Sequence, residues 1–206
     1  RQMCIRDSGK TYQLEANNGP NHLHGCFNRK LYRVKSFGDT LLMEAESPDG
    51  EDGFPGNLKI AVRYTLTEDN AFRMDYRVSS DADTIVNLTN HSYFNLNGEG
   101  DVLGQKLRIY ASNYLEGNNQ CCPTGAILPV ADTPMDFTAG KLIGREIDTG
   151  FAQTTMVGGG YDHCYVIDRA RGSSQSICAW ATSDKTGISM KLYTCLLYTS
   201  DAADEL

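Results

Sequence analysis

The chain has 206 residues, 40% hydrophobic and 22% charged, an ordinary globular composition with room for one sizeable core or two small domains. A net charge of −7 with no lysine–arginine cluster argues against a nucleic-acid or anionic-membrane partner. No apolar run approaches the roughly 18–20 residues that span a bilayer.

Residues 1–8 (RQMCIRDS) carry no usable periodicity and no apolar signal-peptide core. Residues 10–16 read as a short strand, and NNGPN at 17–21 is a dense turn signal that leads into His22-Leu23-His24-Gly25. Residues 31–37 and 40–45 read as strands around the hairpin-type turn Gly38-Asp39, and residues 47–55 as a polar loop. The cleanest alternation is at 57–66, where Leu58, Ile60, Val62, Tyr64 and Leu66 share one face; residues 72–78 repeat it after TEDNA, which predicts a hairpin.

Thr84, Ile85, Val86, Leu88 and Thr89 favour extended backbone. Alternation there puts Val86 and Leu88 on one face and Asn87, Thr89 and His91 on the other. A strand at 106–111 precedes a long loop through Cys121-Cys122-Pro123-Thr124-Gly125. Residues 138–147 are the one passable helix, interrupted by Gly140 and Gly144. Gly158-Gly159-Gly160-Tyr161-Asp162-His163 leads into a strand at 164–168, and strands at 177–182 and 188–194 flank a turn at 184–187. Many short strands separated by turn signals indicate an all-β antiparallel sandwich. There is no internal repeat and no low-complexity tract.

Seven cysteines are an odd number, Cys121 and Cys122 are adjacent, and no CxxC pair occurs. A disulfide framework does not suit that pattern, and a reducing compartment does, so the expected location is cytoplasmic. Both N-x-[ST] matches, at Asn87 and Asn90, then read as coincidence.

The histidines are His22, His24, His91 and His163. His22 and His24 form an H-x-H pair able to bind metal from one strand face, but Asn28, Arg29 and Lys30 stand where a carboxylate partner belongs, so no metal is expected. GxSxG, HExxH and P-loop patterns are absent, and Gly158–Gly160 is too irregular for a dinucleotide loop; it turns the chain or lets backbone approach a ligand. What remains is histidines and carboxylates beside amide-rich loops, which suits proton transfer on a polar, neutral ligand. An imidazole titrates near about 6.5, so His91 is able to give and retake a proton near neutrality. Each candidate also has a plain structural use: His91 as a strand-end hydrogen bonder, His24 as a turn stabiliser, Asp162 as a cap after the glycines. Tyr93, Phe94 and Trp180 read as core or cleft wall rather than sugar-stacking platforms.

NNGPNHLHG at 17–25, TNHSYFNL at 89–96 and GYDH at 160–163 occur in this order and together resemble the aldose 1-epimerase (galactose mutarotase) family; PTG at 123–125 and TPMDF at 133–137 resemble its loops. The TNHSYFNL run is the specific one. The resemblance implies an antiparallel β-supersandwich of the galactose mutarotase type and cofactor-free interconversion of the α and β anomers of a hexose. It implies His91 as the general acid for the ring oxygen, His24 as a second active-site histidine, and Asp162, Asn21 and Asn90 as binders of sugar hydroxyls.

The likeness covers residues 9–194, a partial domain, with 1–8 and 195–206 expected to be non-native ends. The family's Asn-Arg pair is expected upstream of Gly9 and its catalytic glutamate beyond Thr194; Glu205 lacks the surroundings for that role, and residues 26–33 diverge from the family. A non-catalytic carbohydrate-binding protein on the same fold is the alternative. A hexose-6-phosphate epimerase would need a basic cluster for the phosphate, which is not evident.

Overall fold

The computed structural model describes residues 4–7, 10–169 and 175–195. Apart from one five-residue helix and short 3-10 turns, its regular structure is β, and every strand pairing is antiparallel. The chain divides into two compact units, residues 1–89 and 90–206.

In the first unit, β1 (Cys4–Asp7) and β2 (Lys10–Gln13) form a hairpin. A four-stranded meander follows: β3 (Arg33–Phe37), β4 (Thr40–Ser47), β5 (Leu58–Leu66) and β6 (Phe72–Ser80). Register puts Val34, Met43, Val62 and Tyr76 in one row and Arg33, Glu44, Ala61 and Arg77 in the next, so one face is apolar and the other charged. Leu58, Ile60 and Val62 are buried along β5 while Lys59 and Arg63 face water. Each buried aliphatic contributes about 1.5–3 kcal/mol. Gly38, at φ 54°, turns β3 into β4, and Thr67 with Ala71 closes the β5–β6 hairpin through an N–H to carbonyl bond of 2.9 Å. The strands predicted at 10–16, 31–37, 40–45, 57–66 and 72–78 shift by a few residues at their ends only, and β1 falls where the sequence carries no usable periodicity.

Between β4 and β5 the loop carries a buried polar knot. Glu51 accepts hydrogen bonds from Lys30 and Ser47, and the Cys26 thiol lies 3.5 Å from the Ser47 hydroxyl. Burial pushes the Glu51 carboxyl up, but the bonds from Lys30 and Ser47 outweigh it and hold the group below its ordinary value. Burial raises the Cys26 thiol.

Residues 84–89 are not a strand. They keep the alternation, with Thr84, Val86 and Leu88 half-buried and Ile85, Asn87 and Thr89 exposed, but among the described residues no strand pairs with them. Extended propensity sets the side-chain faces; a ladder also needs a neighbour.

The second unit holds two sheets. β7 (Lys106–Ile109) lies between β10 (Lys141–Leu142) and β12 (Ser176–Thr182), with β13 (Ser189–Thr194) outside β12. β8 (Asn113–Gly117) lies between β9 (Pro123–Pro129) and β11 (Tyr165–Val166). Tyr114, Val130 and Met135 form its buried centre, with Leu128, Phe151, Tyr161 and Tyr165 packed around them.

Two expectations fail here. The region around Cys121 and Cys122 is a hairpin, β8–β9, rather than a long loop; its bulge between Leu115 and Gly117 breaks the period that would reveal it. The helix expected at 138–147 is β10 followed by a 3-10 turn at Ile143–Glu146. Gly140 sits at φ 77°, and Lys141 pairs with Leu107, so a sheet edge captures this segment. The one α-helix among the described residues, α1 (Ala152–Met156), is too short to show a helical period.

Candidate active-site elements

In the first unit, the NNGPNHLHG segment is a turn stapled by its own amides. Asn18 and Asn21 exchange backbone hydrogen bonds of 3.0 Å, and the Asn17 side chain donates to the Leu23 carbonyl at 2.9 Å while accepting the Leu23 N–H at 2.7 Å. Asn21 is buried and its main chain closes the turn. His22 is anchored, with Nδ1 2.6 Å from the Glu15 carbonyl and its ring edge-on to Phe54 at 5.4 Å. His24 is exposed and stands at φ 65° beside Gly25 at φ 62°. Two successive left-handed residues turn the chain sharply there, and a histidine held so is the kind of local strain found at functional sites. The H-x-H pair is therefore split, one ring tied inward and the other outward. Among the described residues no group of three or more metal-ligating side chains occurs.

In the second unit, Asn90 Oδ1 accepts the Ser92 N–H at 3.0 Å, an Asx turn that displays His91. The His91 ring is exposed and stands 5.1 Å from the Tyr93 ring, tilted by 44°. Tyr93 is 89% exposed and Phe94 51%, so neither is core. Downstream, Asn95 holds the loop through bonds to Asn97, Gly100 and Gln105, Ser183 donates to the Asn97 side chain at 2.7 Å, and Thr186 donates to the Leu96 carbonyl at 2.7 Å. The turn bearing His91 is thus continuous with a loop fixed at several points.

Asp162 is exposed, and its carboxylate makes no hydrogen bond or salt bridge among the described residues. On either side of it, Tyr161 packs edge-on to Phe137 at 5.0 Å and His163 edge-on to Tyr114 at 5.8 Å. The glycines before it serve α1: the N–H groups of Gly158, Gly159 and Gly160 bond the Thr154 and Thr155 carbonyls that the helix leaves open, with Gly158 and Gly159 at positive φ. The TPMDF loop is structural as well, with Met135 and Phe137 fully buried and Lys141 donating to the Pro134 carbonyl at 2.7 Å.

The structure thus joins His24 and Asn21 in one turn and His91 and Asn90 in another, and sets Asp162 on a third segment. The sequence reading missed the pairing of His91 with an exposed tyrosine, for which the spacing His91–Tyr93 on an extended chain was the available signal. It also missed the anchoring of His163, which depends on a residue ten positions away.

Comparison with known proteins supplies the context. The family profile described as aldose 1-epimerase matches residues 2–204. The aldose 1-epimerase of Escherichia coli (strain K12) is 36% identical over 191 residues, covering 90% of this chain and 54% of that protein. The galactose mutarotase of Sus scrofa is 34% identical over 191 residues, covering 90% and 53%. The crystal structure of galactose 1-epimerase from Lactobacillus acidophilus superposes with a TM-score of 0.78 at 28% identity, covering 88% of this chain and 54% of that one. The chain spans about half the length of the curated relatives it matches, and its antiparallel β fold is of the galactose mutarotase type.

Proposed function

The chain belongs to the aldose 1-epimerase family, and from that premise we propose that it interconverts the α and β anomers of a hexose such as galactose or glucose. A carboxylate base, the glutamate expected beyond Thr194, takes the proton of the anomeric hydroxyl while His91 protonates the ring oxygen. The bond between the anomeric carbon and that oxygen breaks, the open aldehyde rotates about its first carbon–carbon bond, and reversal of both proton transfers closes either face. In the second unit Asp162 and Asn90 hold sugar hydroxyls; in the first, the resemblance gives His24 the part of second histidine and Asn21 that of a hydroxyl binder. A neutral substrate suits a site of amides and hydroxyls with few charges, and no cofactor takes part.

The observation that carries this reading is the exposed His91 ring, presented by the Asn90 turn at the end of a polar row. A general acid has to reach solvent-borne substrate and has to be held in place, and this ring meets both needs. All six cysteines among the described residues with placed side chains are free thiols, which supports a reducing, cytoplasmic setting. No helix among the described residues is long and apolar enough to cross a membrane.

Polarimetry on freshly dissolved α-galactose tests the proposal, on the chain joined to the segments expected to carry the Asn-Arg pair and the glutamate. The protein should bring the rotation to equilibrium faster than buffer, and His91→Asn should remove about 10²–10⁴-fold of that acceleration. A rate equal to that of buffer, or one unchanged in His91→Asn, overturns it.

A further inference from the structure

Asp162 lies between two residues that both face inward, and one of them is bound in a way that dictates its own chemistry. Gln153, on α1, lies against Gly117 at the end of β8: its Oε1 accepts the Gly117 N–H at 2.9 Å and its Nε2 donates to the Gly117 carbonyl at 3.2 Å. The main-chain N–H and carbonyl of Gly117 leave the side-chain amide one orientation. Its Oε1 is therefore an acceptor toward His163 as well, whose Nε2 stands 3.0 Å away. The ring proton must sit on Nε2, and Nδ1 carries a lone pair. Nδ1 is buried and has no hydrogen-bond partner. A β-carbon at Gly117 would crowd the Met156 methyl at 3.0 Å, while its 3.8 Å distance to His163 Nε2 is ordinary contact.

We propose that His163, bonded through its Nε2 proton to Gln153, is a positioning residue that fixes the Asp162 carboxylate outward toward the sugar hydroxyls. The proposal rests on the reading of Asp162 given above and adds a residue to it. Period-two geometry does the aiming: with Tyr161 seated on Phe137 and His163 seated on Tyr114 and Gln153, the side chain between them has only the outer face. Tyr161 supplies packing alone, because its buried hydroxyl has no partner. His163 supplies the directional bond, so it sets where along the chain the carboxylate stands. Three separate pieces of chain, the end of β8, α1 and the segment before β11, meet at that one amide.

The test is NMR on the full chain, wild type against His163→Phe and His163→Gln. Phenylalanine keeps a ring against Tyr114 but has no donor; glutamine restores an N–H aimed at Gln153. In the wild type, long-range proton–nitrogen spectra should place the ring proton on Nε2, and a proton on Nδ1 overturns the proposal without any variant. In His163→Phe, galactose affinity should fall roughly tenfold and the amides of residues 161–164 should exchange faster, with His163→Gln returning both toward wild type. Wild-type affinity and exchange in His163→Phe overturn the proposal, as does a His163→Gln variant as damaged as His163→Phe. If the wild type itself gives no response to galactose, the hexose reading fails, and the exchange comparison still decides whether His163 holds Asp162.

Discussion

Gly53 lies over the main chain of Gln13: a β-carbon at position 53 would stand 1.9 Å from the Gln13 carbonyl oxygen and 2.9 Å from the Leu14 Cα. Gly53 also sits at φ 92°, a backbone conformation that other residues adopt only under strain. The contact joins the loop between β4 and β5 to the end of β2, where Glu15 also donates its N–H to the Asp52 carbonyl at 3.0 Å. Gly53→Ala should therefore cost on the order of 2–4 kcal/mol, read as a lower urea midpoint with an unchanged slope. A midpoint equal to wild type would mean that the β2 end moves aside freely.

Lys30 and Glu51 form a half-buried pair that Ser47 completes. Lys30→Met should destabilise by roughly 1–3 kcal/mol, because it leaves a half-buried carboxylate with one partner fewer. The double variant Lys30→Met with Glu51→Gln should recover part of the loss, measured by denaturant unfolding; a double variant no better than the single would show that the lysine stem, not its charge, matters.

Two ionisable groups contribute to the acid limb of stability at different pH. Burial holds the folded-state His163 below its ordinary value of 6.5, with nearby Asp162 opposing weakly. The unfolded chain therefore takes up that proton at higher pH than the folded one, and stability is lost as pH falls through and below about 6.5. Glu51 is held below its ordinary value of 4.5, so its contribution is present above that value and lost as pH falls through the lower folded-state one. Thermal melts across pH should show two successive declines, and His163→Gln should abolish the upper one alone. A single decline in the wild type would remove His163 from the account.

Tyr93 is exposed and its ring lies beside that of His91. Tyr93→Ala should leave unfolding within about 0.5 kcal/mol of wild type, as surface changes do, while weakening galactose binding in a titration. Loss of stability without change in binding would make the tyrosine structural.

The thiols should separate by exposure. Cys121 is exposed, whereas Cys26 and Cys178 are buried and their thiols raised by burial. Brief maleimide labelling read by mass spectrometry should modify Cys121 and the equally exposed Cys195 before Cys26 and Cys178, which it should spare in the folded state; early labelling of Cys26 would place it outside the Ser47–Glu51 knot.

The all-β character and the first meander were legible because β5 and β6 alternate cleanly and the β3–β4 and β5–β6 turns carry glycine or asparagine at positive φ, at Gly38 and Asn70. Legibility failed where pairing, rather than propensity, decides. Residues 84–89 have strand composition and no ladder, and residues 141–142 have helical neighbours but lie against β7. Of the candidate site, the histidines and Asp162 could be named from short motifs, since chemistry writes itself into residue type. The support behind them could not. Gln153 has no motif, and its two bonds to Gly117 join positions 36 apart in the chain. Tyr93 reads from sequence as core or cleft wall because aromatic residues are commonly buried, and only a folded chain shows that its ring faces water.

The paired left-handed backbone at His24 and Gly25 restricts which replacements at position 24 are informative. Asparagine and glycine tolerate that conformation, so His24→Asn removes the imidazole and little else, whereas His24→Val or His24→Ile would bend the loop as well. A screen that scored only β-branched or bulky exchanges there would confuse loss of the imidazole with loss of a corner. The small set of amino acids that fit this bend is therefore also the set of fair controls for what the ring does.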